Sequence, residues 1–149
     1  MFEFRPLTER DLPMLLEWHQ RPHILEWWDH YTSIETLRAD IFDWDVHPFL
    51  AYVDDKPLGY IQWYLTEKPG VVGIDQFLAD PNHLNRGFGT ALITQFVEFL
   101  FANPEIEAVI VDPVPHNARA IRCYEKAGFR SIGTRDGAHF MRIDRSTRR

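Results

Sequence analysis

One carboxylate lies inside a stretch of the chain that is otherwise largely apolar. Asp75 falls in the predicted strand 71–79, where a charged side chain is costly unless it is solvated or partnered. A carboxylate in such a place can take the proton of an alkyl ammonium ion, directly or through a water molecule, and leave an amine ready to attack an acyl group. Asp75 is therefore a candidate general base, and the alternative is an outward-facing polar residue on an edge strand.

A glycine-rich turn follows this strand and leads into a predicted helix, 89–101. Its residues are Arg86-Gly87-Phe88-Gly89-Thr90. Glycines let the backbone approach an anion closely, and the free N–H groups and the dipole of a helix N-terminus favour negative charge. The turn lacks the Gly-Lys-Thr of a nucleoside-triphosphate loop and the third glycine of a dinucleotide-binding motif. It predicts a pyrophosphate site, with an ordinary loop-to-helix junction as the alternative.

A second group of candidate residues lies on the helix that Asn117 is predicted to cap. Asn117 and Tyr124 are nearly two helical turns apart and so share a face, and the small Ala120 between them leaves room for a ligand. A phenol such as that of Tyr124 can donate a proton to a leaving thiolate. The alternatives are a helix cap for Asn117 and a half-buried core residue for Tyr124.

Several acids and tryptophans favour a cationic ligand. Asp112 follows a predicted strand at its C-terminal end, where ligands gather in open sheets, although it can also cap the turn before Pro113. A cleft for a polycation would combine four acids with two apolar walls, namely Glu26, Asp29, Asp75 and Asp112 with Trp27 and Trp28. Core packing is the alternative for the two tryptophans.

Composition excludes several other classes of function. The formal net charge of −6 argues against a nucleic-acid-binding protein, and no run approaches the length of a membrane span. His19, His23 and His30 lack the spacing of a known metal site, and the single cysteine, Cys123, is interpreted as a packing residue. We expect no metal, no signal peptide and a cytoplasmic location.

The chain of 149 residues predicts one domain, 1–149, with a mixed, mostly antiparallel sheet flanked by helices, an α/β (α+β) fold. One predicted helix opens at Thr8 and ends at Pro22, and another opens at Ser33 and places Trp44 on its apolar face with Ile34. The tail from Arg145 is predicted to fray. Strands are predicted near 2–7, 49–53, 58–65, 71–79, 108–111, 129–134 and 138–143.

Two of these motifs together resemble the GNAT acetyltransferase superfamily. They are Arg86-Gly87-Phe88-Gly89 and the run Asn117-Ala118-Arg119-Ala120-Ile121-Arg122-Cys123-Tyr124-Glu125-Lys126-Ala127-Gly128-Phe129, and the order of predicted elements agrees with them. Within the superfamily the chain is similar to the aminoglycoside 6'-N-acetyltransferases, in Glu26-Trp27-Trp28, Gly73-Ile74-Asp75-Gln76, Gly87-Phe88-Gly89-Thr90, Asp112-Pro113 and 117–129.

The resemblance implies a GNAT fold and direct transfer of acetyl from acetyl-CoA to the 6'-amine of an aminoglycoside, which is a reaction of antibiotic resistance. Asp75 matches the general base and Tyr124 the tyrosine near the thioester sulfur. For coenzyme A it implies pantetheine contacts through the backbone of Phe77, Leu78 and Ala79, pyrophosphate contacts at Arg86, Gly87, Phe88, Gly89 and Thr90, and further contacts at Asn117 and Ala120. For the acceptor it implies Asp112, with Asp29, Trp27 and Trp28.

The sequence departs from the family pattern at two places, and the second of them leaves the acceptor open. Leu84 stands where the glycine motif usually begins with Gln or Arg, and Glu67-Lys68-Pro69-Gly70 is a tight turn where many of these resistance enzymes carry a longer loop. The alternatives are acetylation of another amine, such as a siderophore precursor, a polyamine or a protein amine, and a non-catalytic CoA-binding domain. The expected partner is a small cationic amine, and the expected assembly is a monomer or a homodimer.

Overall fold

The computed structural model describes residues 1–147. The five α-helices are α1 Leu12–Trp18, α2 Pro22–Leu25, α3 Ile34–Ile41, α4 Phe88–Phe101 and α5 Ala118–Lys126. The seven strands are β1 Glu3–Pro6, β2 Val46–Val53, β3 Lys56–Leu65, β4 Val71–Leu78, β5 Ala108–Val111, β6 Arg130–Arg135 and β7 Ala138–Asp144. They form one sheet in the order β1-β2-β3-β4-β5-β7-β6, so the mixed α/β architecture expected from the sequence is confirmed.

The described chain divides into two compact units, and β3 and β4 each contribute to both. The first unit contains Met1–Gln62 and Gln76–Asn82. In it β1 pairs antiparallel with β2, with Glu3 opposite Tyr52. Its buried side chains form one apolar cluster: Leu7, Leu12, Leu15, Trp18, Ile24, Leu37, Ile41, Leu50, Tyr60, Phe77 and Ala79.

The second unit contains Trp63–Asp75 and the described residues from His83 onward. Here β4 runs parallel to β5, whereas β7 pairs antiparallel with both β5 and β6. The parallel pair follows from the long connection through α4, because parallel neighbours need a crossover. Helix α4 is buried along one face, through Leu92, Ile93, Phe96, Val97, Leu100 and Phe101.

Local sequence signals set most of the turns and helix ends. Asp54 and Asp55 both have positive φ, at 49° and 63°, and form the tight hairpin turn that was predicted between β2 and β3. Asn117 caps α5, because its Oδ1 accepts the N–H of Ala120 at 3.3 Å. Gly128, with φ of 104°, follows the helix as the predicted glycine cap.

Two predicted features near the N-terminal helices were wrong. Helix α3 ends at Ile41, so Trp44 lies beyond it and is 80% exposed instead of buried on its face. The helix that opens near Thr8 starts as a short 3-10 turn and ends at Trp18. Pro22 begins the short helix α2 instead of ending the preceding helix. Proline suits the first turn of a helix because its missing N–H would have no partner there.

The start of the C-terminal tail was also predicted incorrectly. Arg145 is held by hydrogen bonds from its guanidinium to the carbonyl oxygens of Asn103 and Ile106, at 2.7 Å each, and its charge lies 5.0 Å from the ring centroid of Phe101. These contacts fix the chain after β7, where the sequence predicted fraying. Arg148 and Arg149 of the same tail lie outside the described residues.

Candidate active site

The candidate base lies in β4, and the candidate acceptor acid directly follows the neighbouring strand β5. The parallel pairing of β4 with β5 runs from Val71 opposite Ala108 to Gly73 opposite Ile110. Asp75 lies in β4 two residues after Gly73, and Asp112 comes two residues after Ile110, immediately beyond the end of β5. Because side chains alternate between the two faces of a strand, both carboxylates follow the same face of the sheet. The structure therefore brings together two acids that are far apart in sequence.

Tyr64 of β3 lies close to these two acids, and it was not among the candidate site residues identified from the sequence. A Cβ atom added at Gly73 would collide with the Tyr64 ring and its hydroxyl oxygen, so the ring lies directly over the strand at Gly73. Since Gly73 precedes Asp75 by one side-chain position on that face, the phenol lies beside the carboxylates. The absence of a side chain at Gly73, in an otherwise bulky strand, was the signal available in the sequence.

The electrostatic environment agrees with this placement. The pKa of Tyr64 is raised far above its ordinary value, chiefly by burial and then by the charges of Asp75, Asp112 and Tyr124. Its hydroxyl is therefore protonated at neutral pH and is a hydrogen-bond donor. The pKa of Asp112 is also raised, mainly by partial burial, which its own backbone hydrogen bond opposes.

Helix α5 supplies the fourth member of this group, Tyr124. Its side chain is buried at 6% exposure and packs against Phe129, with ring centroids 5.5 Å apart. Its electrostatic interaction with Tyr64 places the two phenols near one another. The role of Tyr124 as a proton donor stays a prediction. Asn117 and Ala120 lie in the first turn of the same helix, where the Asn117 side-chain oxygen is already bonded to the Ala120 N–H.

The glycine-rich turn has the backbone geometry of an anion site. Gly87 is the N-cap of α4 with φ of 85°, and a Cβ there would meet no atom within 4 Å. The first bond of the helix runs from Ala91 N–H to the Gly87 carbonyl, so the N–H groups of residues 88–90 precede the helical ladder. Exposed Arg86 adds a positive charge. This open glycine, the preceding cation and the N–H groups fit a pyrophosphate.

Several backbone hydrogen-bonding groups at the end of β4 and just after it are already bonded to other parts of the chain. The Ala79 N–H donates to the Leu58 carbonyl at 2.9 Å, and the Ala79 carbonyl accepts from Arg21 at 2.7 Å. The Leu78 carbonyl is bonded to the His23 ring at 2.8 Å. These three backbone groups are occupied by bonds within the fold, and the pantetheine contacts at Phe77, Leu78 and Ala79 stay a prediction.

The predicted aromatic wall is partly a core feature. Trp28 packs edge-on against Phe77 and Tyr60, with ring centroids 5.2 and 6.1 Å away. Trp27 is half-buried, whereas Asp29 and Glu26 are exposed. All of them belong to the first unit, whereas Asp75, Asp112 and Tyr124 belong to the second.

The three N-terminal histidines have separate structural roles. His19 is fully buried and packs edge-on against Tyr31, Phe77 and Trp28, at centroid distances of 4.9, 5.3 and 5.8 Å. Burial lowers its pKa to about 4, although the backbone and charge of Asp29 oppose the shift. His30 bonds the Gln20 side chain at 2.9 Å. Within residues 1–147 no group of three or more His, Cys, Asp or Glu side chains could hold a metal ion.

The comparison with known families agrees with this geometry. The model of the acetyltransferase (GNAT) domain matches residues 8–136. The chain belongs to the GNAT acetyltransferase family. The matched range includes every residue of the acid and tyrosine group and the whole of the α4 N-terminus.

Individual relatives of this GNAT protein narrow the comparison. The chain is 43% identical to aminoglycoside N(6')-acetyltransferase type 1 of Klebsiella pneumoniae, over 87% of this chain and 74% of the relative. A crystal structure of aminoglycoside acetyltransferase AAC(6')-Ib in complex with coenzyme A and kanamycin superposes with a TM-score of 0.90 at 39% identity, covering 98% of this chain and 96% of the other. The lysine N-acyltransferase MbtK of Mycobacterium tuberculosis is 28% identical over 85% of this chain and 67% of its own length.

Proposed function

We propose that this protein transfers the acetyl group of acetyl-CoA to the 6'-amine of an aminoglycoside. The observation that carries the proposal is the convergence of Asp75 and Asp112 after the last β4–β5 pair, beside Tyr64 and Tyr124. One carboxylate can accept a proton while the other binds a cation, so the group suits an acceptor with several amines. The aminoglycoside-acetylating relatives support the same substrate class.

The chemistry balances with the residues present. Asp75 takes a proton from the acceptor ammonium, and the amine nitrogen then forms a bond to the acetyl carbonyl carbon. As the carbon–sulfur bond breaks, the electron pair stays on sulfur, and Tyr124 donates a proton to that thiolate. The nitrogen gives up its second proton to solvent, from which Tyr124 is reprotonated, and Asp75 releases its own proton to solvent. The products are an amide and coenzyme A with a free thiol, and no covalent enzyme intermediate is needed.

Acetyl-CoA is the second substrate of this reaction. We assign the pyrophosphate to Arg86, Gly87, Phe88, Gly89 and Thr90, because the open N-cap and first-turn N–H groups are arranged for an anion. We assign the pantetheine arm to the backbone of Phe77, Leu78 and Ala79, with Asn117 and Ala120 as further contacts. The single domain 1–149, the cytoplasmic location and a monomeric or homodimeric state remain predictions.

For the acceptor, we assign Asp112 to a protonated amine of the aminoglycoside. Asp29, Trp27 and Trp28 remain predicted acceptor contacts, and Asp29 is exposed, so its carboxylate is accessible to a cation. No helix in the described part of the chain is both long enough and apolar enough to cross a membrane.

Turnover with a panel of aminoglycosides tests the proposal. We expect thiol release from acetyl-CoA with kanamycin or tobramycin, and a product acetylated at the 6'-nitrogen by NMR. Asp75→Asn is expected to lower kcat by about 10²- to 10⁴-fold, the usual contribution of a general base. Asp136→Asn, in the β6–β7 turn, is the matched control and should keep wild-type turnover. Thiol release at background level with the whole panel would reject the aminoglycoside assignment.

A second acceptor class is favoured by one observation. Strand β3 ends at Leu65 and β4 begins at Val71, so only a short turn stands where many of the resistance enzymes have a longer loop. The relationship to a lysine N-acyltransferase supports an amine of the lysine or polyamine type. Under this alternative, kcat/KM with lysine-type amines or spermidine exceeds kcat/KM with every aminoglycoside.

A further inference from the structure

Two side chains at the N-terminus of α2 donate hydrogen bonds to the backbone at the end of β4. His23 Nε2 lies 2.8 Å from the carbonyl oxygen of Leu78, and Arg21 Nη1 lies 2.7 Å from the carbonyl oxygen of Ala79. Because a carbonyl oxygen can only accept, the His23 ring carries its proton on Nε2 in this contact. The start of one short helix is therefore bonded to two consecutive residues of the strand end.

The Arg21 side chain is oriented by a second set of bonds. Its Nε and Nη2 atoms bond the two carboxylate oxygens of Glu17 at 2.8 and 2.7 Å, and its Nη1 is directed at Ala79. The residue before a proline is restricted to extended conformations, and Arg21, which precedes Pro22, has ψ of 135°. An exposed ion pair adds little to stability, so we interpret this arrangement by the geometry that it fixes.

The remaining attachment of α2 to the first unit is apolar. Ile24 is buried at 1% exposure in the apolar cluster, and Trp28 packs edge-on against Phe77 of β4, with ring centroids 5.2 Å apart. Helix α2 has only four residues, so it depends on tertiary contacts to stay helical, whereas β4 is held in the sheet. The strand therefore positions the helix, and Arg21 and His23 supply the directional bonds.

We propose that Arg21 and His23 are positioning residues that hold the acceptor segment, residues 26–29, on the strand that carries Asp75. This inference rests on the proposed function, because the acceptor segment contains the predicted aromatic and acidic contacts of the amine substrate. The segment begins directly after α2, so loosening α2 would displace those contacts. Small displacements of groups that position a substrate are costly, because binding requires all contacts at once.

Two substitutions at His23 separate the donated bond from the size of the side chain. His23→Leu removes the donor, whereas His23→Gln places an amide N–H close to the position of Nε2. We expect KM for kanamycin to rise about three- to tenfold in His23→Leu, the effect of one hydrogen bond, with kcat and KM for acetyl-CoA unchanged. His23→Gln should keep the wild-type KM for kanamycin, which a loss of stability alone would not explain.

Arg21→Met is an independent test, and Arg145→Met is its matched control. Arg21→Met removes the guanidinium and keeps an unbranched side chain, so KM for kanamycin should rise by a similar factor even where His23→Leu does not fold. Arg145 also donates from its guanidinium to backbone carbonyls, those of Asn103 and Ile106. Arg145→Met should lower the Tm and leave KM for kanamycin unchanged. An equal rise of this KM in Arg145→Met, or a wild-type KM in Arg21→Met and His23→Leu, would overturn the inference.

Amide hydrogen exchange separates this inference from the proposed function. The amides of residues 26–28 donate to the carbonyls of Pro22 and Ile24, so their exchange reports the opening of α2. In protein without substrate, this exchange should be about three- to tenfold faster in Arg21→Met and His23→Leu than in wild type.

The outcomes of the two measurements differ for the two proposals. If wild type acetylates no aminoglycoside but the exchange accelerates, the proposed acceptor fails and the positioning of the segment by Arg21 and His23 stands. If wild type is active and neither KM nor exchange changes, the positioning role fails and the proposed function stands. Faster exchange with an unchanged KM for kanamycin would also overturn the inference, because the segment would then move without affecting the acceptor.

Discussion

The ring of Tyr64 occupies the space in which a side chain at Gly73 would lie. A Cβ on Gly73 would overlap the outer ring carbons and the hydroxyl oxygen of Tyr64. The two residues belong to β3 and β4 and are separated by a short turn, so one requires the other to be small. This relationship places a phenol beside Asp75 and makes Gly73 a determinant of the site as well as of the fold.

A double-mutant cycle measures that relationship. Gly73→Ala should lower the free energy of unfolding by about 1–3 kcal/mol, because the added methyl group forces the packed ring to move. In a Tyr64→Ala background the same substitution should cost at least about 1 kcal/mol less, because the ring is absent. Urea unfolding of the four proteins gives the coupling energy. Equal costs in both backgrounds would mean that the ring does not determine the requirement for glycine.

Two of the three glycines with positive φ and open surroundings give a matched test of the anion site. Gly87 precedes α4 with φ of 85°, and Gly137 lies in the β6–β7 turn with φ of 77°, and a Cβ at either would meet no atom within 4 Å. Each glycine-to-alanine change should therefore destabilise the protein by a similar amount, about 1–2 kcal/mol, through backbone strain alone. Only Gly87→Ala should also raise KM for acetyl-CoA, by about tenfold, since its Cβ would project at the pyrophosphate site.

Thermal unfolding and steady-state kinetics on both variants check this prediction. Gly137→Ala serves as the control because it reproduces the strain without touching the assigned site. An equal increase of KM for acetyl-CoA in both variants would show that strain explains the effect, and the pyrophosphate assignment would then be wrong.

Asp112 should contribute to binding at a cost to stability. Partial burial raises its pKa, so its ionised form disfavours the folded state once the pH rises through the unfolded pKa near 4. Asp112→Asn should therefore leave the free protein at least as stable as wild type at pH 7, with the difference vanishing below about pH 4. The same variant should raise KM for a cationic acceptor by about tenfold, because a charge-assisted hydrogen bond is lost.

Asp144 is the control for Asp112, because its pKa is shifted in the opposite direction. Burial raises its pKa, but Arg142 and Arg130, each bonded to its carboxylate at 2.9 Å, outweigh that effect and lower it overall. Asp144→Asn should therefore destabilise the protein at pH 7 and leave KM for the acceptor unchanged, and its deficit should shrink as the pH falls. Calorimetry at several pH values distinguishes the two aspartates, and a loss of stability in Asp112→Asn at pH 7 would contradict the prediction.

Because His19 is buried, we expect the free energy of unfolding to decrease in mild acid. Its folded pKa, about 4, lies below the ordinary value of a histidine, because burial disfavours the imidazolium. As the pH falls from about 6.5 to 4, the unfolded chain takes up a proton that the folded protein excludes, so stability declines across that range. His19→Phe keeps an aromatic ring among Trp28, Tyr31 and Phe77 and removes the titration. Its Tm should fall less between pH 7 and 4.5 than the Tm of wild type, and parallel curves would count against this assignment.

Local sequence was sufficient for the elements that depend on neighbouring residues. The hairpin turn at Asp54 and Asp55, the Asn117 cap and the glycine after α5 were all predicted, because each depends on the dihedral preferences or side-chain bonds of a few adjacent residues. The prediction that Trp44 lies on the apolar face of α3 was wrong for a related reason. A helical pattern of apolar residues does not indicate where the helix ends, and α3 stops before it reaches Trp44.

The candidate chemical roles of single residues could also be predicted from the sequence. Asp75, Asp112, Tyr124 and the turn at Gly87 are residue types whose functional groups suggest a base, a cation-binding acid, a proton donor and an anion site. Together with the motif 117–129 they indicated the GNAT family, which the family match confirms. Spacing along one helix or one turn is enough for such inferences, because those distances follow from local geometry.

Tertiary structure alone decided which of these groups act on one another. Asp75 and Asp112 share a face because β4 and β5 pair in one register, and a shift by one residue would have separated them. Tyr64 joined them through the missing side chain of Gly73, and Trp28 was drawn into an apolar cluster that burial favours. The sequence by itself determined the functional groups and the local turns that carry them. Strand register and packing determined their neighbours, because contacts between distant segments depend on the free energy of the whole fold.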